Sequence, residues 1–217
     1  MQSCLRNDTR QVYPVFRQIH SQDVVVTEIE NLLLKEEAEY LTSMAQTIGM
    51  HPSTVAAKDG QTTIDPRRTS TSAYIPKSKD KVVKCIEDRL ATVAAIPVEN
   101  LEPLQITDYK HKQEFRPHHD YINNPNSSER TKTLFAYLKS DHCETKKCGG
   151  STVFPNLRTE NDQPLRIFPK VGNAVMWSNT TDNGSVNPAS LHGGELLTCE
   201  SAHKIGLNAW FRDRAWE

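Results

Sequence analysis

Between residues 35 and 50 the apolar side chains Ala38, Leu41, Ala45 and Ile48 recur at steps of three or four, the spacing of one helix face. Val82, Ile86, Leu90 and Val93 repeat that spacing within residues 79–95, where Ser78 stands ready to cap the start and Pro97 to end the run. A short β-like run precedes each helix, at residues 24–29 and 69–75. From residue 101 the texture changes to short runs rich in β-branched and aromatic residues, separated by clusters of Pro, Gly, Asn and Asp. These runs fall at residues 104–109, 115–119, 131–138, 152–154, 165–168, 174–177, 190–192 and 202–211. Eight short strands at such spacing predict a mostly β fold with some α, a double-sheet jelly roll or barrel with the N-terminal helices packed on one sheet. The polar loops 123–130 and 178–188 have the texture of lids over a cavity mouth.

Length and composition narrow the picture. The chain has 217 residues, which fits a single domain over residues 24–217 preceded by a 23-residue extension. No internal repeat or low-complexity tract interrupts it. Its 26 basic and 27 acidic residues leave a net charge of −1, so bulk charge predicts no polyanion-binding surface and no nucleic-acid partner. No run approaches the roughly 18 apolar residues of a membrane span. The first residues, MQSCLRNDTRQVYPVF, contain no apolar leader segment, and the expectation is a cytoplasmic protein. The five cysteines (4, 85, 143, 148 and 199) lack the spacing of a metal finger. Cys143 and Cys148 could pair across a loop, but reduced thiols are the expectation for a cytoplasmic chain.

The candidate chemistry begins in the run Phe115-Arg116-Pro117-His118-His119-Asp120-Tyr121. Side chains two apart on a strand project to one face, so His118 and Asp120 point together while His119 points away. An imidazole and a carboxylate so placed can share a metal with a third ligand from a distant strand, and Ser190-Leu191-His192-Gly193-Gly194 offers His192. Two histidines and one carboxylate on one octahedral face leave three positions open, the arrangement of non-haem iron(II) oxygenases. A His-x-Asp pair also occurs by chance, a bulge would make His119 the ligand, and zinc could take the same set. Lys204 follows His192 by twelve residues. A cation on an interior strand beside a metal needs an anionic partner. A dicarboxylate that chelates the metal at one end and meets Lys204 at the other would satisfy both. By the same alternation Gly206, Asn208 and Trp210 share the face of Lys204. Trp177 reads as core, and His203 as pointing away from the site.

In this order the residues resemble the catalytic domain of the prolyl 4-hydroxylase group of 2-oxoglutarate- and Fe(II)-dependent dioxygenases. The resemblance runs from about Val24 to Arg212 and rests on several segments: Glu28 through Leu41, Arg67-Arg68-Thr69-Ser70, Leu104 through Tyr109, Pro117 through Tyr121, Gly149 through Pro155, His192-Gly193-Gly194, Lys204, and Trp210-Phe211-Arg212. It implies a double-stranded β-helix core, iron bound by His118, Asp120 and His192, and 2-oxoglutarate bound by Lys204 with Tyr109 and Thr152. It further implies Arg68 and Trp210 at the substrate, O₂ as oxidant, ascorbate as an accessory reductant, and oxidation of a C–H bond coupled to conversion of 2-oxoglutarate to succinate. Phe115 stands where the family often has Tyr, and Lys112 where it commonly has Gly. The stretch from His192 to Lys204 is longer than usual, and residues 141–147 form a charged loop. These departures lie where substrates are selected, so the expected substrate is a peptidyl proline or a small molecule. A cupin-like metal- or ligand-binding module without oxidation is the alternative from the strand pattern alone, and a zinc hydrolase is a weaker one.

Overall fold

The structure, a computed structural model, describes every residue except 6–7, 21–23, 57–61, 123, 125–126, 144 and 217, and the side chains of residues 20 and 56. Parts of the expected lid at 123–130 and of the charged loop at 141–147 therefore lie outside the described residues.

The N-terminal half contains β1 (Val15–His20), β2 (Val26–Glu30), α1 (Lys35–Ile48), β3 (His51–Pro52), β4 (Thr54–Ala56), β5 (Thr62–Ile64), β6 (Thr71–Ile75) and α2 (Lys81–Ala94). The C-terminal half contains β7 (Leu104–Tyr109), β8 (Phe115–His118), β9 (Arg130–Asp141), β10 (Thr152–Arg158), β11 (Pro164–Ile167), β12 (Ala174–Ser178), β13 (His192–Gly194) and β14 (His203–Arg212). An eight-stranded sheet runs in the order β1-β2-β12-β9-β14-β7-β6-β3, and a four-stranded sheet in the order β11-β10-β13-β8. The β4–β5 hairpin stands apart. This is the expected mostly β architecture, with both helices laid on one sheet.

Alternation along β9 explains the layering. Leu134, Ala136 and Leu138 enter the core shared with Leu41, Ala45, Ile86 and Leu90 of the helices. Phe135 and Tyr137 point the other way, into the core between the sheets with Phe154, Ile167, Val175 and Trp177. Each strand residue thus serves one layer or the other, as the period of two requires. The cavity described below opens in that inter-sheet layer.

Helix starts are set by local hydrogen bonds. Asp80, rather than Ser78, caps α2, accepting from the backbone of Val83 at 2.8 Å. The hydroxyl of Ser78 instead donates to the buried carboxylate of Glu87 at 3.2 Å. At the start of α1, Glu37 accepts from the Leu34 backbone at 2.9 Å and forms a fully buried ion pair with Arg89 of α2 at 2.6 Å. Arg89 also donates to Leu32 and Gln2 carbonyls, which docks the first residues against the helices.

The cysteines depart from expectation. Cys4 is bonded to Cys85, and Cys148 to Cys199, whereas Cys143 takes part in neither disulfide and donates to the Asp141 carbonyl at 3.2 Å. The reason is tertiary: Cys148 lies in the β9–β10 connection, which packs against the β13–β14 connection that carries Cys199. There Thr198 donates to the Cys148 carbonyl at 3.0 Å. Reduced thiols, and a Cys143–Cys148 bridge, are therefore replaced by two long-range bridges. No described helix is long and apolar enough to cross a membrane.

Candidate active site

Strands β8 and β13 pair antiparallel with His118 opposite His192, so two imidazoles from distant sequence face one another with ring centroids 4.4 Å apart. Asp120 lies just past the end of β8, two residues beyond His118, and its carboxylate turns to the same side. Its Oδ1 lies 3.6 Å from Nε2 of His118, and its Oδ2 lies 3.6 Å from Nε2 of His192. All three ligand atoms fall within 4.8 Å of one another, and among the described residues this is the one such group of His, Cys, Asp or Glu.

The tautomers follow from the outer ring nitrogens. Nδ1 of His118 sits 2.9 Å from the Arg116 carbonyl, and Nδ1 of His192 sits 2.9 Å from the Ser190 carbonyl. A carbonyl only accepts, so each Nδ1 carries a proton, and in the neutral ring the lone pair is on Nε2, the nitrogen nearest Asp120. Burial pushes the His192 imidazole down to about 4, against the attraction of Asp120, which keeps it neutral at physiological pH. Burial pushes the Asp120 carboxyl up, but His192, His118 and Arg130 outweigh it and hold Asp120 well below the usual carboxylate range. The Nε2 atoms of two imidazoles and an ionised carboxylate converge on one point. That set is built for a cation, and its nitrogen and oxygen donors suit iron(II).

His119, the alternative ligand, turns its Nδ1 to the Ser190 hydroxyl at 3.3 Å and stands outside the group. His203 pairs with Asp108 at 2.7 Å and does not line the cavity.

One cavity is lined by His118, Asp120 and His192 and also by Lys204, Tyr109, Thr152, Arg68 and Trp210. The structure thus brings all eight sequence-derived site residues to one space. Lys204 of β14 pairs in register with Tyr109 of β7, and its ammonium lies 4.8 Å from the Tyr109 ring centre and donates to the Gly150 carbonyl at 2.8 Å. Burial lowers its pKa to about 8, the charges of Cys143 and Glu195 opposing that fall. The hydroxyl of Thr152 is held 2.9 Å from that of Tyr137. Arg68 is buried over the Phe115 ring, donating to the Thr54 carbonyl and, at 2.7 Å, to the Gln105 side chain, which also receives Asn208 at 3.1 Å. The Nε of Arg68 and the indole N–H of Trp210 are buried without a partner among the described residues. Arg130 stacks 3.7 Å above the Trp210 ring, and Glu102 holds Arg130 and Arg212 in place.

Six further residues line the cavity: Phe115, Gly193 and Gly194, which lie within the motif segments, and Trp177, Phe135 and Asn208. Trp177 belongs to the core, as expected, but its ring also reaches the cavity, 4.5 Å from His192, with its indole N–H unpartnered among the described residues. Phe135 lines it from β9, and Asn208 from the face shared with Lys204. Alternation on β14 carries the signal for Asn208; nothing local distinguishes Phe135 or Trp177 from other core aromatics.

Comparison with known proteins gives three concordant findings. The family model described as the 2OG-Fe(II) oxygenase superfamily matches residues 104–212. Two curated relatives from Arabidopsis thaliana are similar over most of the chain. Probable prolyl 4-hydroxylase 3 is 33% identical over 181 residues, covering 76% of this chain and 61% of its own length. Probable prolyl 4-hydroxylase 10 is 34% identical over 199 residues, covering 84% and 66%. The chain thus spans somewhat less than two thirds of these relatives. Among solved structures, the viral collagen prolyl hydroxylase from Paramecium Bursaria Chlorella virus-1, in its 2OG complex, superposes with a TM-score of 0.67 at 23% identity, covering 86% of this chain and 95% of that one. That likeness concerns the fold.

Proposed function

Because the chain belongs to the 2OG-Fe(II) oxygenase superfamily, we propose that it is an Fe(II)- and 2-oxoglutarate-dependent dioxygenase that oxidises a C–H bond of a peptidyl proline or a small molecule. One observation carries the reading: a His-Asp-His cluster and a buried lysine that forms no ion pair among the described residues line the same cavity. The three ligands and Lys204 match a co-substrate that is a chelating keto acid at one end and a carboxylate at the other.

His118, Asp120 and His192 would hold iron(II), with both imidazoles already in the ligand tautomer. When bound, iron(II) with 2-oxoglutarate and O₂ supplies the oxidising chemistry that converts the co-substrate to succinate and CO₂. The residues do the rest. Lys204 receives the distal carboxylate, and the Thr152 hydroxyl and Tyr109 ring border that end. Phe135 and Trp177 exclude water from the inner wall. The buried donors of Arg68 and Trp210 face the remaining space, where a substrate carbonyl or carboxylate would satisfy them. The prolyl 4-hydroxylase relatives support a peptidyl proline; Phe115, stacked 3.5 Å from His118, changes the wall where substrate meets iron and supports the small-molecule branch.

The test is anaerobic addition of Fe(II) and 2-oxoglutarate. A weak visible charge-transfer band is expected in the wild type and lost in His118→Ala and Asp120→Ala. A wild type that shows no band and forms no succinate with any proline peptide or small acid sinks the proposal.

A further inference from the structure

Resting on the reading that Asp120 is a metal ligand, we infer that Thr133 and Asn179 are positioning residues that commit Asp120 to binding the metal through one oxygen. Position alone leaves the choice open, because each carboxylate oxygen of Asp120 lies 3.6 Å from a histidine Nε2. Hydrogen bonding closes it. The hydroxyl of Thr133 lies 2.7 Å from Asp120 Oδ2, and the side-chain nitrogen of Asn179 lies 2.8 Å from that hydroxyl. Thr133 and Asn179 are both fully buried, so no bulk water competes.

The direction of the relay follows from proton counting. An ionised carboxylate has only lone pairs, so the single proton of Thr133 is donated to Oδ2. Thr133 must then accept from its other neighbour, and only the amide nitrogen of Asn179 can donate. Turning the amide over would set its oxygen against Oδ2 in competition for one proton. The present orientation leaves Asn179 Oδ1 buried with no partner among the described residues, so the hydrogen bond to Thr133 is what holds the amide this way. The backbone of Asn179 is fixed at both ends, donating to Thr131 at 2.8 Å and accepting from Asn187 at 2.9 Å.

The relay also crosses the layers. Thr133 sits inside the large sheet, in register with Trp177 of β12 and Trp210 of β14, whereas both histidines belong to the small sheet. Asp120, beyond the end of β8, lacks ladder support of its own; Thr133 supplies it from the opposite sheet. With Oδ2 engaged, Oδ1 is the free ligand atom. A chelating carboxylate would occupy a further position and leave fewer than three for co-substrate and O₂. The relay therefore keeps the site open as well as oriented.

The experiment is titration of the purified protein with Co(II), followed by its d–d absorption and by calorimetry, for wild type, Thr133→Val, Thr133→Ser and Asn179→Leu. Loss of an outer partner of a ligand typically weakens metal binding about 10–100-fold. Thr133→Val is expected to show that loss together with an altered d–d spectrum, as the carboxylate swings to chelate. Thr133→Ser should restore wild-type affinity to within about threefold, with the wild-type spectrum, because it keeps the one donated proton. Asn179→Leu should move both readouts in the direction of Thr133→Val. Wild-type affinity and spectrum in Thr133→Val would overturn the inference; should that variant fail to fold, the same result in Asn179→Leu would do so. A wild type that binds no Co(II) instead overturns the metal-site reading underneath.

Discussion

Lys204→Met should make the metal-free protein more stable and its hold on 2-oxoglutarate much weaker. Lys204 is 1% exposed, and its ammonium forms no ion pair with a described residue; it donates to the Gly150 carbonyl and lies over the Tyr109 ring. Burial lowers its pKa from 10.5 to about 8. At about 1.4 kcal/mol per unit, the fold carries on the order of 3 kcal/mol against the charged lysine. The folded pKa lies below the unfolded one, so between about pH 8 and 10.5 the unfolded chain binds more protons and stability climbs with pH. Below pH 8 the penalty is present in full. Methionine has similar length and no charge, and it forfeits the bond to Gly150, worth about 1 kcal/mol. The net gain at pH 7 is about 2 kcal/mol, a rise of roughly 4–8 °C in Tm for a chain of this size.

Binding should move the opposite way. A dicarboxylate reaching Lys204 creates a buried ion pair, and truncating one partner of such a pair costs about 2–5 kcal/mol, on the order of a hundredfold in Kd. Because the ligand favours the protonated lysine, wild-type affinity should be level below about pH 8 and fall about tenfold per unit above it, with no such dependence in Lys204→Met. Thermal melts without metal, and calorimetric titration of 2-oxoglutarate into Co(II)-loaded protein from pH 7 to 9.5, measure both limbs. A Lys204→Met protein that melts below wild type at pH 7 and keeps wild-type affinity would make the lysine a packing residue and refute the reasoning.

Two further outcomes test the frame around the site. Glu37→Gln leaves the Arg89 guanidinium buried between α1 and α2 without its countercharge, and should lower unfolding free energy in urea by about 3–5 kcal/mol while metal affinity is unchanged; a loss under 1 kcal/mol would mean that the Leu32 and Gln2 carbonyls suffice. Replacing Cys148 and Cys199 together by alanine removes a cross-link between residues 51 apart, with an expected loss of about 4 kcal/mol on the same measurement; an unchanged urea midpoint would show that the two loops are held by their backbone contacts alone.

What the sequence made legible was whatever depends on local alternation. Lys204, Asn208 and Trp210 reach one cavity because β14 keeps strict alternation along its length. The register with β9 does slip between Ile205 and Gly206, but the extra residue, Leu138, is on β9, so the face read from β14 is undisturbed. Had the extra residue fallen on β14, Lys204 and Trp210 would project to opposite sides, and the same motif would have misled. His118 and Asp120 were legible for the same reason, although β8 ends at His118 and the carboxylate is carried by the loop beyond it. Partners joined only by the fold left no trace. Cys4 and Cys85 are 81 residues apart, and nothing near either one marks the pair. Thr133 looks like any β-branched strand residue, and Asn179 like any loop asparagine, until β9, β12 and the segment after β8 are brought together. A metal ligand is betrayed by its chemistry, because histidine and aspartate rarely point into a barrel for other reasons. The residue that aims the ligand needs only one proton in the right place, and a threonine supplies that without standing out. The open coordination positions that make such a site an oxygenase can thus depend on side chains that no motif includes.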